Sequence, residues 1–115
     1  MAITIFHNPR CSKSRATLAL LREQGVEPEI RLYLDNPPDA AELSAILKKL
    51  GLKPRELMRK SEAEYREQGL ADESLSDAQL IAAMVATPRL IERPIVLAGR
   101  KAALGRPPES VLGIL

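Results

Sequence analysis

One cysteine, one histidine and no tryptophan in 115 residues leave this chain few groups with which to do chemistry. The lone cysteine, Cys11, excludes an internal disulfide and any metal site built from cysteine thiolates. A single free thiol suits a reducing compartment, so the expected location is cytoplasmic. Aromatic residues are only 3% of the chain, so stacking platforms for single-stranded nucleic acid are not expected and the core must rest on Leu, Ile, Val and Ala. Charge of one sign is also lacking. Against 17 Lys and Arg stand 15 Asp and Glu, and the net charge of +2 is too small to imply a nucleic-acid or membrane partner. No apolar run is long enough to span a bilayer. The first residues have neither the basic segment nor the apolar run of a signal peptide, so secretion is not expected.

What is present fits one globular domain over residues 1–115, with 45% hydrophobic and 28% charged residues. "AITIF" (Ala2–Phe6) is short, β-branched and apolar, and reads as a buried strand that Asn8-Pro9 ends. A helical pattern begins at Ser12, with Leu18, Leu21 and Ala16 or Ala19 on one side, and closes at Gly25. "EIRLYL" (Glu29–Leu34) alternates polar and apolar and reads as a second strand, which makes a βαβ unit with parallel strands. A helical block follows. Asp39 with Glu42 and Ser76 with Gln79 have capping-box spacing, and Pro54 to about Lys60 reads as a shorter helix. Leu43, Ile46, Leu47 and Leu50 give the first of these helices an apolar face; Leu80, Ile81, Met84 and Val85 do so for the last, which Pro88 stops. Arg93–Leu104 reads as a hairpin around Gly99, and Pro107-Pro108 as the opening of a last helix over Glu109–Leu115.

The chemistry gathers in "FHNPRCSKSR" (Phe6–Arg15), where strand gives way to helix. A thiol at a helix N-terminus meets unpaired N–H groups and the positive end of the helix dipole, which favour the thiolate. Such placement lowers a cysteine pKa from about 8.5 to roughly 3.5–7.5. His7, Arg10, Lys13 and Arg15 flank it and add to this, or His7 carries a proton. The alternative is a free cysteine used as a small buried hydrophobe. In "CSKS" the position that would complete a Cys-x-x-Cys pair is Ser14, so an adduct on Cys11 needs an external thiol to resolve it. Ser14 either donates to the thiolate or, like Ser12, caps the helix. Pro94 opens a strand after Arg93, and on spacing alone that bond is expected to be trans, since X-Pro bonds in folded proteins are cis in only about 5–6% of cases. Arg59, Arg93 and Arg106 come from three segments, and arginine is suited to a bidentate grip on tetrahedral oxyanions.

With these residues in place, nearly the whole chain resembles the glutaredoxin-coupled arsenate reductase family. The likeness is carried by "ITIFHNPRCSKSR", "YLDNPP", "ELMRK", "RLIERPIV" and "GRPPESVL", in that order. It implies an α/β, thioredoxin-like fold: a four-stranded mixed sheet with flanking helices and a helical insertion between the second and third strands. It implies a cis Arg93-Pro94 bond. It also implies a catalytic Cys11 that attacks arsenate, with glutathione as co-substrate, glutaredoxin as partner, and neither a bound cofactor nor a metal. On the same footing His7 favours the thiolate, Arg93 and Arg106 bind the oxyanion, Arg59 steadies the reduced arsenic intermediate, and Asn8 and Ser14 orient the thiolate. Two other readings fit a lone reactive cysteine: a redox-responsive interaction protein related to polymerase-binding regulators, and a monothiol oxidoreductase with another substrate. The Cys-x-x-Ser sequence and the three arginines favour oxyanion chemistry over both.

Overall fold

A computed structural model of the chain describes residues 2–115. These fall into two compact units, one formed by the two ends of the chain and the other by residues 37–92.

The first unit is built on a four-stranded mixed sheet. Its strands are β1 (Ile3–Phe6), β2 (Glu29–Arg31), β3 (Ile95–Ala98) and β4 (Lys101–Leu104), in the order β2-β1-β3-β4. β1 and β2 are parallel and joined through α1 (Ser12–Glu23), whereas β1 with β3 and β3 with β4 are antiparallel. The fold is α/β and thioredoxin-like, with the helical segments of residues 37–92 inserted between β2 and β3. Its core joins Ile5 of β1, Leu21 of α1, Val96 of β3 and Val111, all fully buried. Val111 belongs to a 3-10 helix over Pro108–Ile114, where the sequence suggested an ordinary helix.

Two elements differ from the expectation in ways that matter for the site. β2 stops at Arg31, not Leu34, because the chain turns there: the N–H groups of Asp35 and Asn36 both donate to Leu32 O. Alternation in "EIRLYL" therefore does not mark an inward apolar face. Tyr33 is buried, and Ile30, Leu32 and Leu34 are 39–41% exposed. In α1 the buried stripe is Ser14, Thr17 and Leu21, at i, i+3 and i+7. Two of those three are polar, so apolar spacing could not find them.

The second unit contains α2 (Ala40–Leu50), α3 (Pro54–Leu57), α4 (Ala63–Glu67), α5 (Asp77–Ala86) and a 3-10 turn at Pro88–Leu90. α2 starts where Asp39 accepts from Glu42 N–H and ends at Gly51, whose φ of 69° permits the left-handed cap. α3 is a single turn, shorter than the sequence suggested, and α4 was not foreseen. Arg55 ties this stretch together by donating to Tyr65 Oη, Leu70 O and Asp72 O at 2.6–2.9 Å. α5 begins with a full capping box: Ser76 Oγ accepts from Gln79 N–H at 3.2 Å and Gln79 Oε1 accepts from Ser76 N–H at 2.8 Å. Ser76→Ala is expected to lower stability by about 1 kcal/mol, seen as a shift in the urea midpoint without a change in slope. An unchanged midpoint would mean that packing of Leu80 and Met84 alone sets the helix start.

Candidate active site

Sheet register gathers the site. Phe6, the last residue of β1, pairs with Ile95, the first of β3, and Ile95 pairs with Leu104, the last of β4. The segments after β1, before β3 and after β4 therefore leave the sheet at one end. Those segments carry Cys11, Arg93 and Arg106. Two further contacts hold the ends together. Gly105 N–H donates to Pro94 O at 3.0 Å, and an Arg106 guanidinium nitrogen donates to Arg93 O at 3.3 Å. The Arg93–Pro94 peptide bond is cis, as is Arg106–Pro107.

Cys11 is itself the N-cap residue of α1, with φ −96° and ψ 123°. Its N–H donates to Asn8 O and its carbonyl accepts from Arg15 N–H, both at 3.0 Å. No side chain caps the helix, so neither Ser12 nor Ser14 serves as its N-cap. The first turn holds no acidic residue, which leaves the N–H groups of α1 facing the thiol. Cys11 is 7% exposed. Burial pushes its pKa up. The N–H of Ser14, the Arg93 guanidinium, the N–H of Lys13 and the Arg106 guanidinium together outweigh that and hold it below its ordinary value. Ser14 thus reaches the thiol through its main chain.

The Ser14 hydroxyl faces elsewhere. It lies 2.6 Å from His7 Nδ1 and accepts from Asn8 N–H at 3.0 Å. Asn8 Oδ1 in turn accepts from Arg10 N–H at 3.0 Å. Asn8 thereby shapes the loop that leads to Cys11. His7 also departs from a charged neighbour of the thiolate. Burial first, then the positive charges of Arg22 and Arg15, hold its pKa below 6.5. At neutral pH the imidazole is uncharged, and what it offers is the Nδ1 contact that holds Ser14 and, through it, the first turn of α1.

Arg59 belongs to the second unit. Its guanidinium pairs with Glu62 at 2.6 Å, and Glu62 also pairs with Arg89 at 3.2 Å. Its main chain is anchored where Arg59 N–H donates to Leu90 O at 2.8 Å, beside the bridge between Met58 and Ile91. Glu62 and Arg89 were not singled out in the sequence. Their only signal is the i, i+3 spacing of Arg59 and Glu62, which is common on any helical stretch.

A low thiol pKa is directly measurable. The rate of Cys11 alkylation by iodoacetamide is expected to rise with a midpoint below the ordinary 8.5 or so. The sign carries over to stability. Between the folded and unfolded pKa values the unfolded chain holds the extra proton, so stability falls as pH drops through that window, and Cys11→Ser is expected to remove this slope. A midpoint at the ordinary thiol value would show that burial of Cys11 wins over its donors.

Known proteins resemble this chain over nearly its whole length. The model of the ArsC family matches residues 6–114. An uncharacterized Escherichia coli protein, YfgD, is 60% identical over 98% of this chain and 96% of its own length. An arsenate reductase of Neisseria meningitidis is 52% identical, over 98% of this chain and 97% of its own. Among solved structures, an arsenate reductase from Vibrio cholerae superposes with a TM-score of 0.98 at 51% identity, covering 100% of this chain and 98% of that one. No helix among the described residues is long and apolar enough to cross a membrane. By its sequence over nearly the full length and by its fold, the chain belongs to the ArsC family.

Proposed function

We propose that this protein is an arsenate reductase that works through a covalent adduct on Cys11 and draws its electrons from glutathione and glutaredoxin. The observation that carries the reading is the convergence of Arg93 and Arg106 on a thiol whose pKa they help to lower. A thiolate and an arsenate anion repel each other. Two guanidiniums and a helix N-terminus placed beforehand offset that repulsion without reorganisation during attack. The relatives named arsenate reductase, in Neisseria meningitidis and Haemophilus influenzae among others, support the same substrate.

In the first step the Cys11 sulfur forms a bond to As(V), and a hydroxide leaves as water after taking a proton. Glutathione then brings a second thiol to the adduct. Arsenic gains two electrons from the two sulfurs and departs as arsenite, and the sulfurs leave as the Cys11–glutathione mixed disulfide. Glutaredoxin and a second glutathione return Cys11 to the thiolate. The net reaction converts arsenate and two glutathione thiols to arsenite, glutathione disulfide and water, so the protein ends each cycle as it began. In this scheme Arg93 and Arg106 hold the oxyanion, and His7, Ser14 and Asn8 hold the loop and first turn that present the thiolate. Arg59 steadies the reduced arsenic intermediate, a role that rests on the family resemblance.

NADPH consumption in the presence of arsenate, glutathione, glutaredoxin and glutathione reductase tests the reading, with Cys11→Ser as control. Arsenate-dependent turnover that disappears in the variant is the expected result. Folded protein with a reactive Cys11 and no arsenate-dependent turnover would sink it.

A further inference from the structure

β1 and β2 run parallel and end together, with Phe6 paired to Arg31 and His7 N–H donating to Arg31 O at 2.9 Å. The loop that leads to Cys11 and the turn that follows β2 therefore leave the sheet side by side. Between them lies a cavity of about 310 Å³, lined chiefly by His7, Asn8, Arg10, Leu32, Leu34 and Asp35. That volume is at the lower end of those that hold small ligands. A larger cavity of about 700 Å³ also borders His7, but the cations there are engaged: Arg15 donates to Pro9 O at 3.0 Å and Arg22 pairs with Glu27 at 3.1 Å.

The smaller cavity has a different character. Leu32 and Leu34 give it an apolar wall although each is about two-fifths exposed. Arg10 and Asp35 both line it, and neither side chain makes an ion pair or hydrogen bond with another described residue. An unpaired cation and an unpaired anion lining one cavity match a zwitterion. Arg10 also immediately precedes Cys11 in the chain, on the loop that leads to the thiol.

We propose that this cavity seats glutathione as it exchanges with Cys11. Asp35 takes the α-ammonium group of the γ-glutamyl end, Arg10 takes a carboxylate, and Leu32 and Leu34 pack against the peptide. The choice of ligand rests on the function proposed above, but the cavity can be tested without arsenate. Glutathione disulfide reacts with the Cys11 thiolate directly. The Cys11 sulfur bonds to one glutathionyl sulfur, the disulfide bond breaks, and the other glutathione leaves as a thiolate that takes up a proton.

Mixed-disulfide formation, followed by intact-mass measurement, is compared for glutathione disulfide and for uncharged hydroxyethyl disulfide in the wild type, Asp35→Asn and Arg10→Gln. The wild-type rate is expected to saturate with glutathione disulfide and to stay linear with hydroxyethyl disulfide. Each variant is expected to reduce the preference for glutathione disulfide about 10-fold, since each removes one charge-assisted contact. A preference that is unchanged in both variants, or a wild-type rate linear in both disulfides, overturns the proposal. Saturation by glutathione disulfide in a protein that does not reduce arsenate would keep the cavity and remove the arsenate reading. Arsenate turnover with an unaltered glutathione dependence in both variants would do the reverse.

Discussion

Replacing both Arg93 and Arg106 by alanine is expected to lower kcat/KM for arsenate by about 100- to 10,000-fold. Each arginine offers a charge-assisted contact of about 1.5–3 kcal/mol, and about 1.4 kcal/mol corresponds to tenfold in rate. Both also lower the Cys11 pKa, so their loss leaves less thiolate at neutral pH. The two effects separate by experiment. An alkylation profile reports the thiol alone, while arsenate kinetics report thiol and grip together. Arg93→Lys keeps the charge and loses the planar fork, so the alkylation midpoint is expected to stay low while kcat/KM still falls by about tenfold. If Arg93→Lys reduces arsenate as fast as the wild type, the guanidinium supplies charge only. If the double alanine variant does so, the oxyanion is held elsewhere and the proposed function loses its main support.

The second large effect is expected at a residue with no side chain. Gly105 is buried between β4 and Arg106, and its N–H donates to Pro94 O. A Cβ there would fall 2.7 Å from Pro94 Cγ and closer still to Thr17 Oγ1. Thr17 is fully buried and tied to its helix by donating to Lys13 O at 2.8 Å, so it has little room to yield. Gly105→Ala is expected to destabilise the protein by about 1–3 kcal/mol, the usual range for overpacking. It is also expected to raise the alkylation midpoint of Cys11, because α1 must move away from the segment after β4 that carries Arg106. A drop in melting temperature with no shift of that midpoint would mean that the strain is relieved away from the thiol. A variant as stable as the wild type would show that Thr17 and Pro94 both yield freely.

His7 adds a pH dependence of its own. Its pKa is lowered on folding, so below about 6.5 the unfolded chain takes up the proton first and stability falls with falling pH. His7→Gln keeps a polar group near Ser14 and is expected to flatten that slope between pH 6.5 and the lowered folded value. Thermal melts across this range check it; an equal slope in the two proteins would assign the acid sensitivity to carboxylates instead.

Much of this architecture is local in origin and so was legible. Ser76 with Gln79 and Asp39 with Glu42 carry their own hydrogen-bonding partners three residues away, and both helices start where those pairs place them. β1, α1 and the hairpin about Gly99 follow from short apolar runs and their breakers. The position of Cys11 at the start of a helix was legible for the same reason. Contacts made across the sheet were not. Alternation in "EIRLYL" could not show that β2 is an edge strand ending at Arg31, because which face is covered depends on what packs against it. The polar stripe of Ser14 and Thr17 looks like a solvated face until His7 and Gly105 are brought against it. Nor could spacing show that His7 is uncharged, since its desolvation and the repulsion from Arg15 and Arg22 exist only in the folded chain. The sequence by itself determined the family, the element order and the residue types at the thiol. Only tertiary structure brought Arg93 and Arg106 to Cys11 and left Arg10 facing a cavity with Asp35, because charge and burial act through space and not along the chain.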